Sequence, residues 1–266
     1  MHQNQNQIVL KTHQISKDYK GKLAVEGVSL QVNKGDIYGL VGLNGSGKTT
    51  LIRLITSLIT PTSGSFSLFD GVGSSMANLT RISSMIEKPA IYENLSAKDN
   101  LLTQCRIAGV EKAEMQKTSR NLLEMVGLAD VGGKKAGAFS LGMRQRLGIA
   151  MALVGSPELM LLDEPTNGLD PAGIIQIREL LVRLNRELGI TMFICSHILT
   201  ELSKIATRYG FIHKGKLIQE VEAEELESKS EGIELERYFM ELIYKYDTAM
   251  ASQPYYAVHN YNGGIR

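Results

Sequence analysis

The sequence predicts an α/β fold: a parallel sheet with an inserted helical subdomain and a small antiparallel β subdomain. Strand-like apolar runs at 36–43, 158–163 and 190–195 alternate with amphipathic helical segments. Helical patterns dominate from about residue 97 to 155, and short alternating segments fill the first 33 residues. Strands separated by helices are typical of a parallel sheet that is covered on both faces.

The N-terminal strands are predicted to be short. Val28–Asn33 alternates apolar and polar residues, as a half-exposed strand does. Ile8–Leu10 and Leu23–Val25 are expected to pair with it as the small antiparallel sheet. The run DIYGLVGL, 36–43, is more continuously apolar and predicts a strand buried on both faces.

Helical periodicity follows this strand. The first helix is expected to be closed by Pro61 and Gly64, and its apolar positions are Leu51, Leu54, Ile55, Leu58 and Ile59. Helices are also predicted at about 97–108, where Ser96 and Asp99 resemble a capping box, at 112–126, and up to about Gly155.

Two more helical stripes lie towards the C-terminus. The first begins near Pro171 and comprises Ile174, Ile177, Leu181, Leu184 and Leu188. The second comprises Leu235, Phe239, Leu242 and Tyr246, for which core packing is favoured and a partner-binding face is the alternative. The last residues, 252–266, contain no pattern that predicts structure.

Composition restricts the class of protein. The 266 residues carry 29 basic and 28 acidic side chains, a balance that gives no support for nucleic-acid binding. Cys105 and Cys195 are the only cysteines, so a disulfide framework is not expected and a reducing compartment fits best. The polar start MHQNQNQ is not a signal peptide, and no apolar run reaches the ~18 residues of a membrane span. The chain is therefore expected to be soluble and intracellular.

A phosphate-binding loop is the strongest local motif. Gly42–Thr49, GLNGSGKT, fits G-x-x-x-x-G-K-[ST] in full and lies between a predicted strand and a predicted helix. Its glycines let backbone N–H groups surround a phosphate, and the helix N-terminus adds positive charge. Lys48 is expected to reach the β- and γ-phosphates, and Thr49 to offer a hydroxyl to Mg²⁺.

Two adjacent acids end a buried strand about a hundred residues later. In LLDEPTNGLD, Asp163 and Glu164 directly follow four apolar residues, a position that does not suit two solvated loop acids. Asp163 is predicted to be a direct or indirect ligand of Mg²⁺. Glu164 is predicted to activate the water that attacks the γ-phosphate.

Four motifs in order narrow the class of ATPase. GLNGSGKTT, FSLGMRQRLGIA, LMLLDEPTNGLD and CSHIL together closely resemble the ATP-binding cassette (ABC) ATPase family over about residues 8–220. The resemblance implies a P-loop NTPase fold with a RecA-like core. It divides the chain into an ATPase domain, 1–220, with the helical subdomain at about 88–156, and a C-terminal helical extension and tail, 221–266.

The resemblance also implies roles for individual residues. Ser140 and Gly142 would cap the ATP held by a second subunit in a head-to-tail dimer, and Asp170 would cross that interface. His197 resembles the switch histidine that contacts the γ-phosphate, and Tyr19 would stack on adenine. The remaining positions expected to bind ATP are Gly42, Asn44, Gly45, Ser46, Gly47, Lys48, Thr49 and Thr50.

Two motifs depart from the family pattern. The signature motif of the family usually reads L-S-G-G-Q, and in this chain Leu141 and Met143 replace a glycine and the glutamine. A functional cap on the ATP with altered contacts is therefore expected. Glu87 stands where the family usually has a glutamine that senses Mg²⁺ and the attacking water; the alternative is a tolerated replacement. Both departures resemble the branch that serves bacitracin-resistance and lantibiotic self-immunity exporters.

The resemblance implies a nucleotide-binding subunit of an exporter, peripheral on the cytoplasmic face of the membrane. It would power a separate transmembrane permease, as a dimer with itself or a related ATPase, using ATP and Mg²⁺ and no nucleic acid. An importer subunit and a soluble ABC ATPase of translation or DNA repair are the alternatives. A single phosphate loop, and the 140 − 48 = 92 residues from Lys48 to Ser140, disfavour the soluble class.

Overall fold

The computed structural model describes residues 7–69, 71–72, 75–229 and 235–251. The strands are β1 (Ile8–Tyr19), β2 (Lys22–Val28), β3 (Gln31–Asn33), β4 (Ile37–Val41), β5 (Ser63–Leu68), β6 (Gly71–Val72), β7 (Ile82–Met85), β8 (Leu159–Asp163), β9 (Thr191–Ser196), β10 (Arg208–His213) and β11 (Lys216–Glu222). The helices are α1 (Lys48–Ile55), α2 (Met76–Leu79), α3 (Ala97–Ile107), α4 (Met115–Met125), α5 (Leu141–Leu153), α6 (Pro171–Leu188), α7 (Leu199–Leu202), α8 (Ala223–Lys229) and α9 (Leu235–Ala251).

The strands form two sheets. A six-stranded sheet has the order β11–β10–β4–β9–β8–β7, in which β11 pairs antiparallel with β10 and the other neighbours pair parallel. The smaller sheet is antiparallel: β1 pairs with β2, β3 and β5, and β5 pairs with β6. Helices α3, α4 and α5 lie between β7 and β8 in the chain, which agrees with the predicted helical insertion. The α/β class is confirmed.

The six-stranded sheet separates two apolar cores. On one face, alternate residues such as Tyr38 and Phe193 pack against α1 and the antiparallel sheet, with their rings stacked 5.3 Å apart. On the other face, Val41 and Ile194 pack against α3, α4, α5, α6 and α9. Both faces of β4, β8 and β9 are therefore buried, as their continuously apolar sequences predict.

Two predicted elements differ from the structure in their extent. Helix α1 stops at Ile55, and Leu58 is 65% exposed, because Ser57 adopts a left-handed conformation with φ 57° that ends the helix. The predicted strand Val28–Asn33 is divided into the end of β2 and β3. The Thr12 hydroxyl donates to the Val28 carbonyl at 3.0 Å and accepts from the Leu30 N–H at 3.0 Å, in place of regular ladder bonds.

The C-terminal stripe lies on α9 and packs into the core. Phe239 and Ile243 are buried, and Leu235 and Leu242 pack beside them, so the core-packing interpretation of this stripe is confirmed. The prediction for residues 252–266 lies outside the described residues. Among the helices that the structure describes, none is long and apolar enough to cross a lipid bilayer. Cys105 and Cys195 are free and buried, as expected for a chain without a disulfide framework.

Candidate functional site

The phosphate loop joins the end of β4 to the start of α1. Gly42 has no room for a side chain, because an added Cβ would lie 2.4 Å from Ser46 Oγ and 2.6 Å from the Ile212 carbonyl. Gly47 has φ 110°, and its Cβ would lie 2.5 Å from the Ala24 carbonyl. Glycine is therefore required at both positions, as in a backbone that curves closely enough to surround a phosphate.

Lys48 is the first residue of α1, and its side chain is 6% exposed. Its ammonium donates to the Gly42 carbonyl at 2.7 Å and lies 3.4 Å from Glu164 Oε1. Because these partners hold the long side chain across the loop, its positive charge is positioned over the curved backbone. A fixed cation beside backbone donors is suited to a polyphosphate.

Thr49 and Asp163 connect the phosphate loop to the end of β8. The Thr49 hydroxyl donates to Asp163 Oδ2 at 2.7 Å. Burial raises the pKa of the Asp163 carboxyl, although the hydrogen bond from Thr49 and the Lys48 charge lower it. Asp163 Oδ1 is buried without a hydrogen-bond partner in the described part of the chain. The carboxylate thus has one oxygen available to a cation that would compensate its burial.

Glu164 follows Asp163 and turns the chain sharply. Its φ of 50° is in the left-handed region, which is unusual for glutamate, and its N–H donates to the Cys195 carbonyl at 2.9 Å. The side chain lies between two partners: Lys48 on Oε1 and His197 Nδ1, 2.8 Å from Oε2. With the carboxylate ionised, His197 Nδ1 is the donor of that bond. This leaves the far edge of the imidazole available to another group.

The site opens on a cleft of about 550 Å³. It is lined by Tyr19, Lys22, Leu23, Ala24, Asn44, Gly45, Ser46, Gly47, Lys48, Thr49, Thr50, Glu164, Lys214 and Gly215. Gly42, Asp163 and His197 contact lining residues without lining the cleft themselves. The structure therefore brings Tyr19, the loop, both acids and His197 to one place.

Sequence reasoning missed three lysine and glycine positions of this cleft. Lys22 begins β2, and Lys214 and Gly215 form the turn between β10 and β11. The K-G-K pattern between two apolar strands is a hairpin signal that could have predicted the turn. Nothing in the sequence indicates that the turn lies against the phosphate loop.

Glu87 lies at the margin of the site. Its carboxylate is 62% exposed and accepts from Arg53 Nη2 at 2.6 Å, so its partner is a cation on α1. Its φ is 61°, a left-handed conformation in a non-glycine residue. The negative charge of Glu87 contributes to raising the pKa of Asp163, the smallest of the causes. This places Glu87 within electrostatic range of Asp163 without a direct contact.

Ser140, Gly142 and Asp170 do not line this cleft. Ser140 and Asp170 cap helices: Ser140 Oγ accepts from the Met143 N–H at 3.3 Å, and Asp170 Oδ1 from the Gly173 N–H at 2.9 Å. A Cβ on Gly142 would lie 3.7 Å from Leu169, so the two caps are near each other. We call these three residues the signature face, and Gly42–Thr50, Asp163, Glu164 and His197 the phosphate-loop face.

The phosphate-loop face contains the groups that phosphoryl transfer requires. It has backbone donors and a buried cation for a polyphosphate, and a partly buried carboxylate held by two partners. In such transfers positioning and charge stabilisation supply most of the catalysis. The geometry is that of a nucleoside triphosphate site.

A family comparison agrees with this geometry. Residues 25–167 match the family model described as "ABC transporter". A second model, described as "AAA domain, putative AbiEii toxin, Type IV TA system", matches residues 133–242. The first match includes the phosphate loop, Ser140, Asp163 and Glu164, and it covers more than half of the chain.

Sequence comparison with curated proteins indicates the same family. The chain is 44% identical to the bacitracin transport ATP-binding protein of Bacillus licheniformis over 84% of this chain and 72% of that protein. It is 42% identical to the lantibiotic transport ATP-binding protein of Streptococcus pyogenes over 84% of this chain and 95% of that protein. Both are ATP-binding subunits of transporters by name.

Solved structures of ATP-binding cassettes share the fold. The protein cbiO1 of Clostridium perfringens, described as part of an ABC transporter complex, aligns with TM-score 0.77 and 27% identity over 85% of this chain and 93% of that one. A dimeric cassette bound to ADP and Pi aligns with TM-score 0.72 and 25% identity over 80% of this chain and 98% of that one. The chain therefore belongs to the ABC transporter family, as one of its ATP-hydrolysing subunits.

Proposed function

We propose that this chain hydrolyses ATP to power the export of peptide antibiotics, of the bacitracin or lantibiotic type, through a separate membrane permease. The observation that carries the proposal is the joint similarity to a bacitracin and a lantibiotic transport ATP-binding protein over most of the chain. The chain would act on the cytoplasmic face of the membrane, where the permease presents its docking surface.

The chemistry is assigned to the phosphate-loop face. Lys48 binds the β- and γ-phosphates beside the loop N–H groups, and Tyr19 packs on the base at the cleft margin. Glu164 accepts the proton of the attacking water, for which its two partners orient it. His197 stabilises the γ-phosphate through the imidazole edge that faces away from Glu164.

Mg²⁺ fits the residues that end β8 and begin α1. Asp163 offers a buried oxygen without a partner in the described chain, and the Thr49 hydroxyl lies beside it. Mg²⁺ in such sites is usually held by one or two protein oxygens together with the substrate phosphates and water. The ion would neutralise charge developing on the phosphate oxygens, and Glu87 would contribute its carboxylate at longer range.

The signature face requires a second subunit. Ser140 and Gly142 begin α5, where a helix N-terminus presents N–H groups suited to an anion. Within the described chain, their contacts do not include the residues of the phosphate-loop face. A head-to-tail dimer, with a second copy or a related ATPase, would place each signature face against the partner's ATP.

A groove beside Glu87 supports docking of the permease. The groove, about 860 Å³, lies between the edge strand β7 and helices α3 and α5. Arg81, Lys88 and Gln104 give it polar rims, and Ile107 is 69% exposed at its margin. A short cytoplasmic helix of the permease could contact this groove and Glu87 together.

The test has two parts. The chain is purified in mild detergent from cells that express it at native level, and its partners are identified. Cells lacking it are then challenged with bacitracin and a lantibiotic, with wild type or Glu164→Gln restored. A polytopic membrane partner and resistance restored by wild type alone are expected. Ribosomal or DNA-repair partners, or unaltered resistance with a membrane partner present, would contradict peptide export.

A further inference from the structure

Helix α9 lies along the β10–β11 hairpin and reaches its turn. Tyr238 bonds to Gln219 of β11 at 3.0 Å, and Phe239 packs on Phe211 of β10 with ring centroids 5.6 Å apart. Two turns further on, the Tyr246 ring meets the edge of His213 at 6.1 Å. The helix is therefore anchored by buried aromatic contacts, and its C-terminal half lies at the turn.

Asp247 contacts that turn directly. Lys214 Nζ donates to Asp247 Oδ1 at 2.7 Å, and His213 Nε2 lies 3.1 Å from the same oxygen. The hydrogen bond from Lys214 is the largest cause that holds the pKa of Asp247 below its usual range, so the carboxylate is ionised. The turn is a two-residue hairpin connection in which Lys214 has φ 48° and Gly215 has φ 80°. Lysine is uncommon in that conformation, so a partner that holds it stabilises the turn.

The same turn is bonded to the phosphate loop. The Gly215 N–H donates to the Ser46 carbonyl at 2.9 Å, and the Gly215 carbonyl accepts from the Glu26 N–H at 2.8 Å. A Cβ on Gly215 would lie 3.0 Å from the Ala24 carbonyl, so the turn is closely packed between β2 and the loop. Movement of this turn would therefore be transmitted to Ser46.

The bond to Ser46 fixes the direction of a phosphate-binding donor. The Ser46 carbonyl and the Gly47 N–H belong to one planar trans peptide, in which they point in opposite directions. Holding the carbonyl therefore sets the direction of the Gly47 N–H. Gly47 lines the nucleotide cleft, and its φ of 110° lies in a region that other residues rarely adopt.

We propose that Asp247 is a positioning residue of the ATP site: it holds the Lys214–Gly215 turn, which orients the phosphate-loop peptide between Ser46 and Gly47. Helix α9 thereby contributes to ATP affinity without touching the nucleotide. The inference rests on the proposed nucleotide site and adds a role for the C-terminal extension. By linkage, nucleotide bound at the loop also stabilises the end of α9.

The kinetic test uses the full chain with Asp247→Ala. Because Asp247 is 39% exposed, its ion pair has the modest strength of surface pairs, and we expect the KM for ATP to rise about two- to fivefold with kcat unchanged. Asp247→Glu should restore most of the affinity. The matched control is Glu241→Gln, which removes an acid of the same helix that pairs only with Arg237 in the described contacts. An unchanged KM in Asp247→Ala, or an equal rise in Glu241→Gln, would overturn the proposal.

A double-mutant cycle tests the route through lysine. Lys214→Asn keeps a residue that tolerates the left-handed turn and removes the ion pair. In that background, Asp247→Ala should raise the KM by less than it does in wild type. Equal effects in the two backgrounds would exclude the lysine route.

Hydrogen exchange on the unmodified protein provides a measurement that does not depend on a variant. Saturating ATP should slow amide exchange at 243–249 as well as in the phosphate loop. Slowed exchange in the loop with no change at 243–249 would refute the coupling and leave the ATP site established. No protection in the loop would instead contradict the ATP site itself.

Discussion

The phosphate-loop face and the signature face differ in how their side chains are used. On the phosphate-loop face, Lys48, Glu164 and His197 form a connected series of contacts at 3.4 and 2.8 Å. On the signature face, the side chains of Ser140 and Asp170 each accept a hydrogen bond that caps their own helix. One face is assembled within the chain, whereas the other presents helix ends to the outside. In the proposed head-to-tail dimer, ATP binding would need the residues of one chain and turnover would need those of two.

The largest expected effect on ATP hydrolysis comes from a substitution on the phosphate-loop face. Glu164→Gln should lower ATP hydrolysis about 10²- to 10⁴-fold, the usual contribution of a general base, while ATP binding persists. Phosphate release and nucleotide binding measure the two separately. Glu158→Gln is the matched control, because that acid pairs with Arg81 at the surface. Normal turnover in Glu164→Gln would refute the general-base assignment.

Binding itself should depend on Lys48. Lys48→Ala removes a buried cation and its charged hydrogen bonds to the phosphates. Because such bonds contribute strongly to binding free energy, ATP affinity should fall about 10- to 100-fold. Lys117→Ala, at an exposed pair with Glu114, is the control. Nucleotide titration with equal affinities for Lys48→Ala and wild type would remove the phosphate-loop assignment and, with it, the contrast between the faces.

The signature face is tested by a substitution that keeps the cap. Aspartate is as good an N-cap as serine, so Ser140→Asp should leave stability and ATP binding nearly unchanged. Its charge would repel a partner's ATP, and hydrolysis should fall more than about tenfold. Ser75→Asp, at the cap of α2, is the control. Full hydrolysis in Ser140→Asp would show that turnover does not use this face.

The smallest effect is expected at Glu87, which belongs to neither face. Because its carboxylate is 62% exposed, Glu87→Gln should raise the Mg²⁺ concentration for half-maximal hydrolysis only about two- to fivefold. Glu93→Gln, a nearby exposed acid, is the control. Superimposable Mg²⁺ curves would favour a tolerated replacement.

Local motifs explain what could be predicted. The phosphate loop requires glycines and a lysine at fixed spacing, and Asp163 and Glu164 end an apolar strand, so both could be placed on elements from the sequence. The contact of Thr49 with Asp163 follows because β4 and β8 run parallel and end at the same edge. The roles of Ser140, His197 and Asp170 rest on the resemblance to the family, and they stay predictions.

Contacts between distant segments could not be predicted. Arg53 with Glu87 and Lys214 with Asp247 join segments that are 34 and 33 residues apart, and neither pair has a motif of its own. The sequence predicts too late an end for α1, because the apolar period continues to Leu58 and Ile59, whereas the backbone at Ser57 ends the helix. Periodicity reports which side chains could be buried, and a single left-handed residue is enough to override it.

The burial of both cysteines makes it practical to measure association between two copies of the chain by fluorescence. Burial raises the pKa of the Cys195 thiol well above its usual range and also raises that of Cys105, so the reactive thiolate is scarce at both. Maleimide dyes should therefore leave the native thiols largely unlabelled. A cysteine introduced at an exposed position beside the signature face would take the dye selectively, and energy transfer between two labelled copies would report their approach in real time.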